Sequence, residues 1–445
     1  MQIEFVNHAS VLMRHGDVGL LSDPWYDGPA FHKGWRLLTE TPEAQIADVL
    51  SRTSHIWVSH EHPDHFSPAF FKRWGDVIRE RGIKLLFQRI GDQRVADFLR
   101  AQRFDLTELD FGKAYDLGSG VRVTCLKDEF YDSALSVRTP DTHVLNLNDC
   151  AVATVPRAKE IRAAVGTCDV LLTQFSYAAW KGGRGNRDWR EQAARDKLSN
   201  IKVQADILEP KVVIPFASFI RFAHRRNVYL NDAANTPQDV MDTFADAPFD
   251  LCVMKPGDVF EGRTSATRNS EAAAFWQNLY DQGDAPLMHY ETVDTARLRT
   301  AFANWRTRVF RNNSRWAMRA AQVASPIRVL QPVVICLDDM QKNWRIDPAR
   351  GTLEETEDPA DLSMHSESLH FLFSNGFGFD TLGVNGTFEE SRPGGFSRAA
   401  RSIAIENLNN LGLRFGPGLI FEPKVIGIFL ERLRGVSARM ARQAD

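Results

Sequence analysis

The sequence predicts an α/β protein: a sandwich of sheets flanked by helices, followed by an α+β accessory domain. Three observations carry this. Short apolar runs alternate with helical stretches over residues 1–260, in two halves that mix strand types. A polar stretch at 261–270 (EGRTSATRNS), poor in large apolar residues, interrupts that alternation. The chain of 445 residues is 43% hydrophobic and 25% charged, which excludes a disordered or collagen-like protein and leads us to expect two domains, 1–265 and 266–445.

The elements follow in order. Apolar runs at 3–6, 11–14 and 19–22, divided by turn signals, predict an N-terminal antiparallel meander. Residues 56–59 read as a buried strand. Ser67 and Pro68 form a helix start, with Ser at the N-cap and Pro at the first helical position, where the missing N–H costs nothing. Phe70, Phe71, Trp74, Val77 and Ile78 then give that helix one apolar face. Further strands are expected at 85–88, 121–126, 143–147, 170–173 and 212–216, and an amphipathic helix at 189–208. Beyond the boundary, 271–324 reads as helical and 326–337 as a strand pair, with helices within 358–378 and 397–411.

Several function classes are disfavoured at once. A net charge of −3 gives no basic footprint for nucleic acid. The five cysteines, Cys125, Cys150, Cys168, Cys252 and Cys336, stand far apart with no Cys-x-x-Cys, which argues against a disulfide scaffold, a zinc finger or an iron–sulfur cluster and fits a reducing cytoplasm. The N-terminus lacks the basic-then-apolar pattern of a signal peptide. No run approaches the length of a membrane span; the most apolar late segment, 416–430, is interrupted by Glu422 and Lys424.

The strongest chemical signal is Ser59-His60-Glu61-His62-Pro63-Asp64-His65, set between a predicted strand and a predicted helix. Strand side chains alternate with period two, so His60 and His62 leave the strand end on one side. The turn through Pro63 points Asp64 and His65 back to the same spot. Three imidazoles and a carboxylate in six residues suit zinc or iron.

This motif resembles that of the metallo-β-lactamase superfamily. Asn7-His8-Ala9-Ser10, Ser22-Asp23-Pro24-Trp25 and Asp149, at the end of the run Leu145-Asn146-Leu147-Asn148, stand in the superfamily's order. A closer resemblance is to the metallo-β-lactamase-fold part of the CMP-N-acetylneuraminate hydroxylase family. It is carried by Asp23-Pro24-Trp25 with Gly28-Pro29-Ala30-Phe31 and Gly34-Trp35, and by Pro215-Phe216-Ala217 with Ala223-His224 and Asn235-Thr236. The stretches around Trp189, at 202–210 and at 365–376 extend it over most of the chain.

The resemblance implies an αββα sandwich with two metals at the sheet edges, bridged by Asp149. By position His224 is the last histidine ligand. Asp23 is expected to orient a ligand histidine; His8 either does the same or anchors the first hairpin. The superfamily usually supplies a third histidine between the motif and the bridging Asp, but here only His143 lies there, inside the same strand as Asp149. Counting back as in the sialate hydroxylases places Asp128 at that position, with Glu129 beside it. One metal is then expected among His60, His62, Asp128 and Asp149, and the other among Asp64, His65, Asp149 and His224, with Asp149, Asp64 and Asp128 as the catalytic carboxylates. Oxygen-rich ligands favour iron, with zinc or manganese as alternatives. A similar exchange of His for carboxylate occurs in di-iron β-hydroxylases of this fold. The Rieske module of the sialate hydroxylases is not matched in this sequence, so electrons are expected from a separate redox protein.

Two reactions compete. In one, a di-iron centre activates O2 and hydroxylates or oxidises a small, anionic organic substrate. In the other, the metals generate hydroxide from bound water and hydrolyse a phosphodiester, ester or lactone. The sialate hydroxylase resemblance and the expected carboxylate favour oxygenation. No nucleic-acid or membrane partner is expected. The loop Lys181-Gly182-Gly183-Arg184-Gly185-Asn186, together with Arg225 and Arg226 beside His224, offers cations to an anionic substrate or is an exposed loop. Tyr131 and Tyr177 are candidate proton donors, and Cys150 reads as a small buried residue rather than a nucleophile.

Overall fold

The structure, a computed structural model, describes residues 1–128, 131–283, 286–324, 328–410, 412–416 and 418. Glu129 and most of the apolar segment 416–430 lie outside the described residues. The chain divides into two compact units: Met1–His289 with Val384–Gly386, and Tyr290–Gly383 with Thr387–Asp445.

The first unit is built on two seven-stranded sheets. One runs in the order Val259–Phe260, Gln2–Asn7, Ser10–His15, Val18–Ser22, His55–Val58, Lys84–Gln88, Asp105–Leu109. The other runs Asp250–Leu251, Val212–Phe216, Val170–Gln174, His143–Asn148, Ser133–Arg138, Val121–Lys127, Ala114–Gly118. Both begin as antiparallel meanders or hairpins and turn parallel towards the middle: Val18–Ser22 pairs in parallel with His55–Val58, and His143–Asn148 with Val170–Gln174.

Period-two alternation decides which side chain goes where. Ile3, Phe5, Trp57 and Leu86 of the first sheet share a buried core with Val123, Leu135, Leu145, Leu171 and Val213 of the second. Their sequence neighbours Val6, Ile56, Val58, Leu85 and Phe87 face the other way, onto Ile46, Val49, Phe70, Phe71, Ala96 and Leu99 of the helices Glu43–Ser51, Pro68–Arg73 and Arg94–Ala101. Ala158 and Ile161 of the helix Val155–Val165, with Ile201 and Leu208 of Arg187–Leu208, complete the layer over the second sheet. This is the αββα sandwich the sequence predicts.

The predicted helix start at Ser67 is present, with Ser67 Oγ accepting from the Phe70 N–H at 3.3 Å and Pro68 at the first position. The helix itself breaks after Arg73. Trp74 leaves helical geometry (φ −100°, ψ 6°) and a second helix, Gly75–Glu80, follows. The boundary between the units falls after His289, not after residue 265. The helix Ala266–Asp281 belongs to the first unit because Trp276 stacks on Phe219 at 4.2 Å and donates its ring N–H to the Met254 carbonyl.

The second unit holds a five-stranded sheet, ordered Thr352–Glu355, Lys342–Asp347, Val333–Leu337, Leu362–Met364, Phe388–Glu390. The helices Thr295–Asn312 and Ser366–Ser374 meet through Phe302, Trp305 and Phe373. Of the expected strand pair at 326–337, residues 326 and 327 lie outside the described residues; the described ones hold one strand, Val333–Leu337, whose antiparallel partner Lys342–Asp347 follows it. Among the described residues no helix is long and apolar enough to cross a membrane.

Candidate metal centre

The candidate residues emerge where parallel strands of both sheets end. Ligand sites in open α/β sheets form at such carboxyl ends. Asp23 directly follows Val18–Ser22, the run Ser59–His65 follows His55–Val58, and Asp149 follows His143–Asn148. The turn between the first two strands adds His8, at φ 34°.

Asp23 organises the histidines. It is 1% exposed, and its carboxylate accepts from the Ser59 backbone N–H (2.8 Å), the Ser59 hydroxyl (2.8 Å), the His65 ring (3.0 Å) and the Asn148 amide. Because His65 Nδ1 donates to Asp23, its Nε2 is turned inward. The Ser59 hydroxyl has spent its proton on Asp23, so His60 Nδ1, at 2.9 Å, donates to it, and His60 likewise presents Nε2. Asp23 thus bonds His65 directly and reaches His60 through the Ser59 hydroxyl.

Donor atoms converge in three overlapping groups: His8, Asp64 and His65; His60, His65 and Asp149; and His60, His62 and Asp132. His65 Nε2 lies 3.2 Å from Asp64 Oδ2 and 3.2 Å from Asp149 Oδ1. His60 Nε2 lies 3.0 Å from His62 Nδ1 and 3.5 Å from Asp132 Oδ1. His8 Nε2 stands 3.3 Å from Asp64 Oδ2, so it reaches the cluster itself rather than only supporting it.

Burial resists protonation of His65, but Asp64 and Asp149, aided by Asp23, lift its pKa well above the ordinary histidine value. Burial, followed by repulsion from His65 and His62, drives His60 well below it. Burial raises the Asp64 carboxyl, yet His65 and His8 outweigh it and hold the group well below the usual range. For Asp149, too, the neighbouring His65 outweighs burial and lowers the carboxyl. Asp132 goes the other way: burial and the nearby Asp149 push it up to about 7.

These residues fit a metal. Asp64 Oδ1 and His65 Nε2 are buried without a hydrogen-bond partner of good geometry. Buried polar atoms rarely stay unsatisfied, and convergent carboxylate and imidazole lone pairs are what a divalent cation would satisfy.

Asp128 is not brought to this cluster. Its carboxylate is held by Arg157, with Nε at 3.1 Å, at the start of the helix Val155–Val165. Asp132 stands there instead. The Asp128 backbone N–H donates to the Asp132 carbonyl at 3.1 Å, and Ser133 at the head of the next strand ties to the Ser59 carbonyl at 2.7 Å, which carries Asp132 to His60. The missed signal was the strand Ser133–Arg138: a carboxylate immediately before a strand beside the motif strand is placed by that pairing, which counting back from Asp149 does not see. His224 is 2% exposed, and its Nδ1 accepts from the Arg226 N–H at 3.2 Å, but it belongs to none of the three groups.

The other candidates resolve differently. Tyr177 donates to the Leu230 carbonyl, and burial raises its pKa, so its hydroxyl is spent on the fold. Cys150 is 2% exposed and its thiol is raised by burial, as expected of a packing residue. The loop after Lys181 is tied down. Arg190, fully buried, donates to the Gly183 and Arg184 carbonyls and pairs with Asp232 at 2.6 Å.

No family model matches the chain. Among curated proteins it is similar to cytidine monophosphate-N-acetylneuraminic acid hydroxylase of Mus musculus, 28% identical over 257 residues, covering 54% of this chain and 42% of that protein. The hydroxylase of Cricetulus griseus is 27% identical over 250 residues, covering 52% and 42%. The resemblance to that family therefore holds over about half of the chain, less than the motifs suggest, and the match spans about two-fifths of the relatives' length. Among solved structures, CmlA, a diiron beta-hydroxylase from Streptomyces venezuelae, aligns at a TM-score of 0.42 and 16% identity, covering 58% of this chain and 54% of that one. A possible metal-dependent hydrolase from Veillonella parvula aligns at 0.42 and 14%, covering 58% and 98%.

Proposed function

We propose that the protein is an O2-dependent dinuclear iron oxygenase of the cytoplasm that hydroxylates or oxidises a small, anionic organic substrate, with electrons from a separate redox protein. The observation that carries this reading is the carboxylate Asp132 beside His60 and His62, where a third imidazole would give a zinc-type set. The similarity to curated hydroxylases supports it. Mixed imidazole and carboxylate ligands suit iron, with zinc or manganese as alternatives. His60, His62 and Asp132 would hold one ion, Asp64, His65 and His8 the other, and Asp149 would stand between them. When bound, iron supplies the redox chemistry that O2 requires and no side chain provides.

The chain's own residues do the rest. Asp23 and Ser59 fix the tautomers of His65 and His60. Asp132 sets its carboxylate 3.5 Å from His60 Nε2, ready to share an ion with it. Arg190 keeps the glycine-rich loop in place.

Protein expressed with iron available is expected to carry up to two irons and to consume O2 only when a reductant is supplied. Stoichiometric zinc with iron excluded, or ester, lactone or phosphodiester cleavage without O2, would replace this reading with the hydrolytic one.

A further inference from the structure

Gln174 ends the strand Val170–Gln174 and is 7% exposed. Its amide Nε2 donates to Asp149 Oδ1 at 2.6 Å and, more weakly, to the Ala217 carbonyl at 3.4 Å. The two ends of a glutamine amide have the same shape, so its orientation must be decided by its partners. Here Lys197 decides it. An ammonium only donates, and Lys197 Nζ donates to Gln174 Oε1. The amide nitrogen is therefore obliged to face Asp149. With the amide turned over, an oxygen would face the carboxylate and the ammonium would meet an NH2 group.

We infer that Lys197 and Gln174 form a positioning relay that fixes one oxygen of Asp149 and thereby sets how that carboxylate meets the metals. Lys197 lies within the helix Arg187–Leu208, which packs on the second sheet through Ile201 and Leu208. An ammonium in this setting is costly unless it compensates charge. Burial lowers its pKa, and Asp149 and Asp132 act against that drop. Among the described residues its hydrogen-bond partner is the neutral Gln174, so its pull reaches Asp149 through the amide. Partners one shell out from a ligand commonly change metal affinity 10–100-fold.

The inference rests on the metal-centre part of the proposed function and not on oxygenation, so cobalt serves as the probe. Metal-free full-length protein is titrated with Co2+ and followed by its visible ligand-field bands. The wild type is expected to take up two ions. Gln174→Met should weaken at least one site about tenfold and alter its bands. Lys197→Met should change both in the same direction. Lys197→Arg, which still only donates, should restore them. Because Lys197 acts through Gln174, the double variant should be no weaker than Gln174→Met alone. Should Gln174→Met not fold, the Lys197→Met and Lys197→Arg pair decides the matter by loss and rescue. Unchanged cobalt binding and bands in the single variants, losses that add in the double variant, or no rescue by arginine would overturn the relay. A wild type that binds no cobalt would overturn the metal centre itself, a result distinct from these.

Discussion

Asp23 shows how one side chain can set a site from its edge. A carboxylate is acceptor-only and has room for about four donors, and four converge on it here. Each donor passes its orientation on, so two imidazoles are aimed by one anion. The same reasoning separates Asp132 from Asp128. Asp132 lies among the donor atoms, whereas Asp128 neutralises Arg157. Asp132→Ala is expected to lower bound metal by about one ion per chain. Asp128→Ala should keep the metal and cost about 1.5 kcal/mol of stability, the worth of a hydrogen bond to a charged group at the low end. Metal analysis and urea unfolding of the two variants check this, and the reverse pattern would return the ligand role to Asp128.

At the scale of elements, His143 ties the start of its strand to two neighbours. Its Nδ1 donates to the Thr167 carbonyl, so its Nε2 accepts from the Ser136 hydroxyl at 2.8 Å. The Ser136 bond needs the neutral ring, because a protonated Nε2 no longer accepts, whereas the Thr167 bond survives protonation. Burial, then Arg138, lowers its pKa, partly offset by the Thr167 bond. The folded value thus lies below the unfolded one, and the unfolded chain takes up the proton first as pH falls. This contribution is complete above about pH 6.5, the ordinary histidine value, and is lost as pH drops below it. The melting temperature of the wild type is expected to fall between about pH 7 and 5 by more than that of His143→Gln; equal slopes would refute the assignment.

Strands that are buried on one or both faces were readable from the sequence, since apolar alternation is itself the record of burial. The meander, the motif strand and the three central parallel strands were found that way. Ala114–Gly118 was missed because every second residue is exposed and the rest are only partly covered. Ser133–Arg138 was missed because its buried serines, Ser133 and Ser136, look like loop residues until Ser59 and His143 are seen to bond them. At the metal centre, local order in sequence revealed His60, His62, Asp64 and His65. Asp132, Gln174 and Lys197 come from separate strands, loops and helices, and their approach depends on pairings that no local pattern encodes.

On the scale of the whole molecule, the chain leaves the first unit after His289, builds most of the second, and returns to the first for Val384–Gly386 alone. That short return is bonded on both sides. The Asn227 amide donates to the Asn385 carbonyl at 2.6 Å and to the Gly34 carbonyl at 3.0 Å, while the Asn385 amide donates to the Phe31 carbonyl at 3.1 Å. Gly386, at φ +63°, passes where a Cβ would meet Leu230 at 2.7 Å and Trp180 at 3.1 Å. Asn385→Ala is expected to cost about 1–2 kcal/mol, because it leaves a buried carbonyl without its donor; an unchanged urea midpoint would refute that.

This threading also bears on how such a protein can be shuffled. A unit completed by a distant tripeptide cannot be moved intact by one crossover between genes, because a single break after His289 leaves its closing piece behind. Recombination would have to carry the intervening segment with it, so the two units are expected to travel through evolution as a pair.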